Sequence, residues 1–107
     1  GIHAGEIETS MMLALRPQFV DMAQACDFKS TSQMRAAHYP ILGNGKSARL
    51  GWAMQDYNPL GAVGNAAEAT ADKGRVVVDA AGRQLALLLQ EMVELPLSTI
   101  AHGPAVG

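Results

Sequence analysis

Apolar positions follow a clear period at two places in this chain and lose it between them. From Thr70 to Glu94, the residues Val77, Ala81, Leu85, Leu88 and Met92 recur at spacings of four, four, three and four, which is one stripe of a helix. Thr70 is placed to cap its start, Asp72 meets the positive end of the helix dipole in the first turn, and Pro96 marks its end. At about 1.5 Å per residue this helix reaches roughly 37 Å, long for a chain of 107 residues. Gly74 and Gly82 each weaken it by about 1 kcal/mol relative to Ala, which predicts a neighbouring backbone packed closely at both.

The second periodic stretch is nearer the start, where Ile7, Met11, Met12 and Leu15 predict a helix over Glu6 to Leu15 that Pro17 ends. A short helical stretch over Phe19 to Ala25 follows, with Val20 and Ala23 inward. The polar run Lys29-Ser30-Thr31-Ser32-Gln33 then breaks the pattern. From Ser30 to Leu50, with Pro40, Gly43 and Gly45, there is no period, and the segment reads as a functional loop or an interface arm. Loose alternation around Trp52 and Met54 predicts a short strand, and Asn58 to Asn65 is a run of turns leading into the long helix. The chain therefore divides into residues 1–25, 26–51, 52–95 and a tail, 96–107, that is ordered only where something holds it.

Composition narrows the class. The chain has 107 residues, 49% of them hydrophobic and 17% charged, against about 25% charged in an average soluble domain. It makes one domain at most, the composition argues against disorder, and much of the surface carries no charge. Eight basic and ten acidic residues give a net charge of −2, with the basic ones scattered, which argues against nucleic acid as a partner. The most apolar run, Val76 to Val93, is interrupted by Asp79, Arg83, Gln84, Gln90 and Glu91, so no membrane-spanning segment is expected. Cys26 is alone, without CxxC or zinc-finger spacing, and the chain reads as cytoplasmic. It begins with Gly1 rather than Met, and is expected to be the remainder of something longer.

Few residues offer chemistry. His3, His38 and His102 lack the spacing that brings two histidines onto one metal, so no metal site is expected within this chain. Ser10, Ser47 and Ser98 lie in no nucleophile elbow, Cys26 has no adjacent base, and Gly1 has no nucleophilic side chain. The run Gly61 to Asn65 lacks the Lys-Ser/Thr of a phosphate loop and reads as a turn. Glu6 and Glu8 are two apart, so a helix points them to different faces and separates their roles. His3 stands just ahead of the first helix, with Glu8 about a turn downstream, where a carboxylate can orient an imidazole that carries a proton. Pattern alone allows a blander assignment, in which His3 is an exposed terminal histidine, Thr9 or Ser10 caps the helix, and the six methionines fill a core.

The string His3-Ala4-Gly5-Glu6-Ile7-Glu8-Thr9-Ser10, with Leu13-Ala14-Leu15-Arg16-Pro17 after it, resembles a conserved block of the creatininase (creatinine amidohydrolase) family. The later string Gly61-Ala62-Val63-Gly64-Asn65-Ala66-Ala67-Glu68-Ala69-Thr70-Ala71-Asp72-Lys73-Gly74 is similar to the Gly-x-x-Gly-Asp-Pro-x-x-Ala-Thr-x-x-Lys-Gly signature of that family's last helix. With the helices that follow them, the two blocks cover residues 1–25 and 52–95. The family's Asp-Pro is replaced here by Asn65-Ala66.

The resemblance implies an α/β protein, the C-terminal portion of a three-layer α/β/α creatininase-like fold completed by a separate N-terminal chain. It further implies a homo- or hetero-oligomer, often a hexamer. The family's Glu, His and Asp metal ligands lie in the half this chain does not contain, so zinc or manganese is expected on the partner chain. His3 then resembles the histidine that moves a proton to the leaving nitrogen, and Glu8 the acidic residue that orients it or the local backbone. Trp52 and the 30–50 segment are expected at the substrate pocket or at a subunit contact. The implied activity is hydrolysis of a cyclic or other non-peptide amide. The alternative is a structural or regulatory subunit that keeps the fold without the chemistry.

Overall fold

The computed structural model describes residues 2–105. Four helices carry it: α1 (Glu6–Leu15), α2 (Ser32–His38), α3 (Met54–Tyr57) and α4 (Ala71–Glu94). The sheet is small. Strand β1 (Asp27–Phe28) pairs antiparallel with β2 (Gly64–Asn65), Asp27 opposite Asn65 and Phe28 opposite Gly64. One residue earlier, Val63 bridges antiparallel to His3, through Val63 N–H to the His3 carbonyl at 2.7 Å and Ile2 N–H to the Val63 carbonyl at 2.9 Å. Segment 63–65 thus ties the start of the chain to the stretch that follows α1.

Both periodic helices form where the sequence places them, and Thr70 caps α4 by accepting the Lys73 N–H at 3.2 Å. Their buried faces are not the apolar ones. Ile7, Met12 and Leu15 are exposed, whereas Ser10 is completely buried against the first turns of α4. Gly74 makes this possible, because a Cβ there would overlap the Ser10 carbonyl. Gly82 corrects the sequence expectation, since a Cβ at that position has nothing within 4 Å among the described residues. The α4 stripe departs from expectation in the same way, with Val77 half-buried and Leu85, Leu88 and Met92 exposed. A ten-residue α1 reaches only about 15 Å, so it covers α4 as far as Val78 and every later helical residue is exposed.

Three further assignments change. The expected helix over Phe19 to Ala25 is instead two 3-10 turns, Pro17–Phe19 and Met22–Gln24. Asp21 restarts the chain between them by accepting the Ala23 N–H at 3.0 Å, a local bond that competes with helix continuation. The 26–51 segment, expected to be a loop or arm, contains β1 and α2. Its Ser-Thr-Ser cluster is the start of α2, with the Ser30 hydroxyl taking the Ser32 N–H at 3.1 Å and Arg35 and His38 in the last turn, where the dipole favours them. The expected strand at Trp52 and Met54 is replaced by α3, whose Asp56 accepts the Ala53 N–H at 2.8 Å. That capping bond outweighs a loose alternation, and the Tyr57 carbonyl is already engaged by Thr31 N–H at 2.9 Å.

Among the described residues the buried apolar side chains are Tyr57, Val63, Ala66 and Ala69. The radius of gyration is 19.9 Å, against about 13 Å for a compact chain of this length. The accessible surface is 8359 Å², against roughly 5,700 Å² for a compact protein of this mass.

The crossing and the projecting helix make opposite demands on glycine. Gly74→Ala is expected to lower unfolding free energy by about 2–3 kcal/mol through overpacking, while Gly82→Ala is expected to raise it by up to about 1 kcal/mol. Urea unfolding followed by circular dichroism checks both.

Candidate active site

The chain turns sharply between the His3 bridge and α1. Ala4 sits at φ 53°, in the left-handed region that costs a non-glycine residue about 1–2 kcal/mol. Two side chains of α1 hold that corner. Glu8 reaches back to accept the Ala4 N–H, and the Thr9 hydroxyl donates to the Ala4 carbonyl at 3.1 Å. No side chain caps α1 at Gly5, so the carboxylates of Glu6 and Glu8 in the first turn answer its positive end.

The same corner fixes His3. Its backbone is paired to Val63, and its Nδ1 lies 3.6 Å from Glu8 Oε2, both side chains being about half exposed. That separation exceeds hydrogen-bond length. Both residues border an open groove of about 680 Å³ whose apolar wall includes Met12, Leu15, Phe19, Val20 and Phe28. They also border a smaller depression with Ile2 and Ile7. The exposed stripe of α1 is therefore one wall of the groove, with His3 and Glu8 beside it.

Glu6 and Glu8 do divide their roles. Glu6 pairs with Lys73 Nζ at 2.8 Å, and the same ammonium donates to the Glu68 carbonyl at 2.7 Å. Ser10 Oγ accepts the Thr70 N–H at 3.1 Å, so it caps the opposite helix rather than its own. These residues join α1 to α4, which leaves His3 and Glu8 facing the groove. Sequence reasoning missed the Glu6–Lys73 pair and the part played by Ser10, although all three residues belong to the two motif blocks. The Oδ1 of Asn65, at the departure from the family's Asp, is buried without a hydrogen-bond partner among the described residues.

Trp52 lies elsewhere. It packs edge to face on Tyr57, ring centroids 4.8 Å apart, and lines a separate cavity of about 430 Å³ that neither His3 nor Glu8 enters. Among the described residues no three His, Cys, Asp or Glu side chains come together as metal ligands. None of the helices described is long and apolar enough to cross a membrane.

The family model for creatininase, creatinine amidohydrolase, matches residues 1–89. The chain belongs to the creatininase family. It is also similar to the crystal structure of a "Putative creatinine amidohydrolase" from Bacteroides fragilis NCTC 9343, with a TM-score of 0.69 and 35% identity. That likeness takes in 89% of this chain and 36% of the other, so the present chain spans little more than a third of the length of that creatininase homologue. No curated protein matches it.

Glu8 has a backbone duty that can be separated from its charge. Glu8→Ala removes the acceptor for the Ala4 N–H and is expected to cost about 1 kcal/mol, while Glu8→Gln keeps an acceptor oxygen and costs only a few tenths. Chemical denaturation of the two variants distinguishes them.

Proposed function

We propose that this chain is the small subunit of a cytoplasmic, metal-dependent amidohydrolase that cleaves a cyclic or other non-peptide C–N amide bond. The observation that carries the reading is the His3–Glu8 pair, held at a strained corner beside an apolar groove. In amide hydrolysis the water oxygen adds to the carbonyl carbon and the C–N bond then breaks. The departing nitrogen needs a proton. His3 takes up a proton released by the water and delivers it to that nitrogen, and Glu8 opposes the imidazolium in between.

The residues present do not make a metal site by themselves. His3 and Glu8 face each other, and no third ligand joins them among the described residues. The family resemblance is what assigns zinc or manganese to an N-terminal partner chain, and no metal-dependent step is assigned to this one. The partner also completes the three-layer α/β/α fold, in a higher oligomer such as a hexamer. The exposed Leu85, Leu88 and Met92 of α4 support such a partner, because apolar surface on this scale is a mark of an interface.

In the assembled protein, His3→Ala is expected to lower kcat by about 10²–10⁴, the usual worth of a general acid-base, with metal content unchanged. An unaltered rate sinks the proposal and favours a structural subunit. Intact-complex mass spectrometry is expected to show a second chain carrying the metals, with the isolated 107-residue chain binding none stoichiometrically.

A further inference from the structure

Away from the His3 groove, Arg35 of α2 is in an unusual position. Its guanidinium lies 4.7 Å from the centre of the Tyr57 ring, and Tyr57 is buried. One terminal nitrogen, Nη2, is buried without a hydrogen-bond acceptor among the described residues. A guanidinium stays charged and carries five N–H donors, and leaving a buried charge without an answering acceptor is costly. Asp56, the nearest acid in sequence to Tyr57, is occupied with the Ala53 N–H.

The rest of the Arg35 side chain borders a cavity. Arg35 and Arg49 both line the cavity of about 430 Å³, and no Asp or Glu lines it. Its volume falls within the roughly 300–1,000 Å³ of small-ligand sites. Trp52, Leu42 and Leu50 supply an apolar wall, and Ile2 borders both this cavity and the depression beside His3 and Glu8.

We infer that this cavity is a carboxylate-binding subsite, in which Arg35 and Arg49 take the carboxylate of a small organic acid whose apolar or aromatic body lies on Trp52. A planar guanidinium matches a carboxylate edge to edge, and its contact with the Tyr57 face uses none of its N–H donors. The apolar wall selects an organic acid over a bare inorganic anion. Because Ile2 borders both this cavity and the depression beside His3 and Glu8, the acid is the substrate itself, an amide bearing a carboxylate that reaches from one to the other. That last step rests on the amidohydrolase reading, whereas the binding does not.

Trp52 is the single tryptophan of the chain, so its fluorescence reports occupancy of the cavity directly. Titrating hippurate, an aromatic amide with a free carboxylate, into the full chain is expected to give a saturable change. N-benzoylglycinamide, the same body without the charge, is expected to bind at least about tenfold more weakly. Arg35→Gln and Arg49→Gln are each expected to weaken hippurate by about tenfold or more, and Arg35→Lys by less than Arg35→Gln. Arg49 is exposed, so its variant keeps the test valid should Arg35→Gln disturb the packing on Tyr57. No fluorescence response, equal binding of the acid and the amide, displacement of hippurate by equimolar inorganic phosphate, or an unchanged affinity in Arg49→Gln overturns the inference. Should the assembled protein hydrolyse no amide while hippurate still binds through these arginines, the amidohydrolase reading falls and the carboxylate subsite stands.

Discussion

The backbones of α1 and α4 meet where Gly74 lies against the carbonyl of Ser10, and most of what is ordered in the molecule is arranged around that meeting. Two helices usually keep apart by the width of their side chains. Here the contact uses a glycine and a serine, so it gives little apolar burial and relies on polar groups. The Ser10 hydroxyl takes the free Thr70 N–H, the Thr70 hydroxyl takes that of Lys73, and the Lys73 ammonium returns to Glu6 on α1. Two of the unpaired N–H groups that open α4 are thereby satisfied, that of Thr70 by the crossing and that of Lys73 by the Thr70 cap. The crossing also fixes the height of α1 against segment 63–65, and so where His3 stands.

One consequence is that the two carboxylates of the first turn cannot exchange functions. Glu6 is turned toward α4 and neutralised by Lys73, whereas Glu8, two residues on, looks the other way toward Ala4 and His3. Ala4 in its left-handed conformation is the link between backbone and site. Were the corner relaxed, the His3 strand bridge and the Glu8 side chain would no longer meet. The strain is of the same order as the stabilisation from the two hydrogen bonds that hold it, which is how a local cost persists in a folded chain.

How much of this was legible follows from which interactions are local. The ranges of α1 and α4 were readable because a period of three to four and a capping threonine are contained within each segment. The faces were not, since which side of α1 is buried depends on Gly74, sixty-four residues away from Ser10. For the same reason Gly74 and Gly82 looked alike in sequence and differ in space. The start of α2 and the capping of α3 had local signals, at Ser30 and Asp56, that were outweighed in the reading by polarity and loose alternation. His3 and Glu8 were legible as a pair because α1 brings them together over six residues. Arg35 was not, because what marks it is Tyr57 beneath its guanidinium.

The low charge of the sequence acquires a location from the fold. Between Arg83 and Glu91 of α4 lie seven uncharged residues, Gln84 to Gln90, about two turns of helix, and Leu85, Leu87, Leu88 and Leu89 among them are each half exposed. A surface helix normally gives its outward face to charged residues and draws its stability from a buried apolar one. Beyond Val78 the face that carries its stripe is bare, and Leu87 and Leu89 carry apolar surface past that stripe on either side, while Asp79, Arg83, Gln90 and Glu94 hold the opposite face. Leucine on more than one side of a helix is the pattern of an element enclosed within a larger body. The covering proposed for α4 is therefore asked for by the distribution of its side chains as well as by the extended shape of the chain, and the two arguments use different observations to reach the same surface.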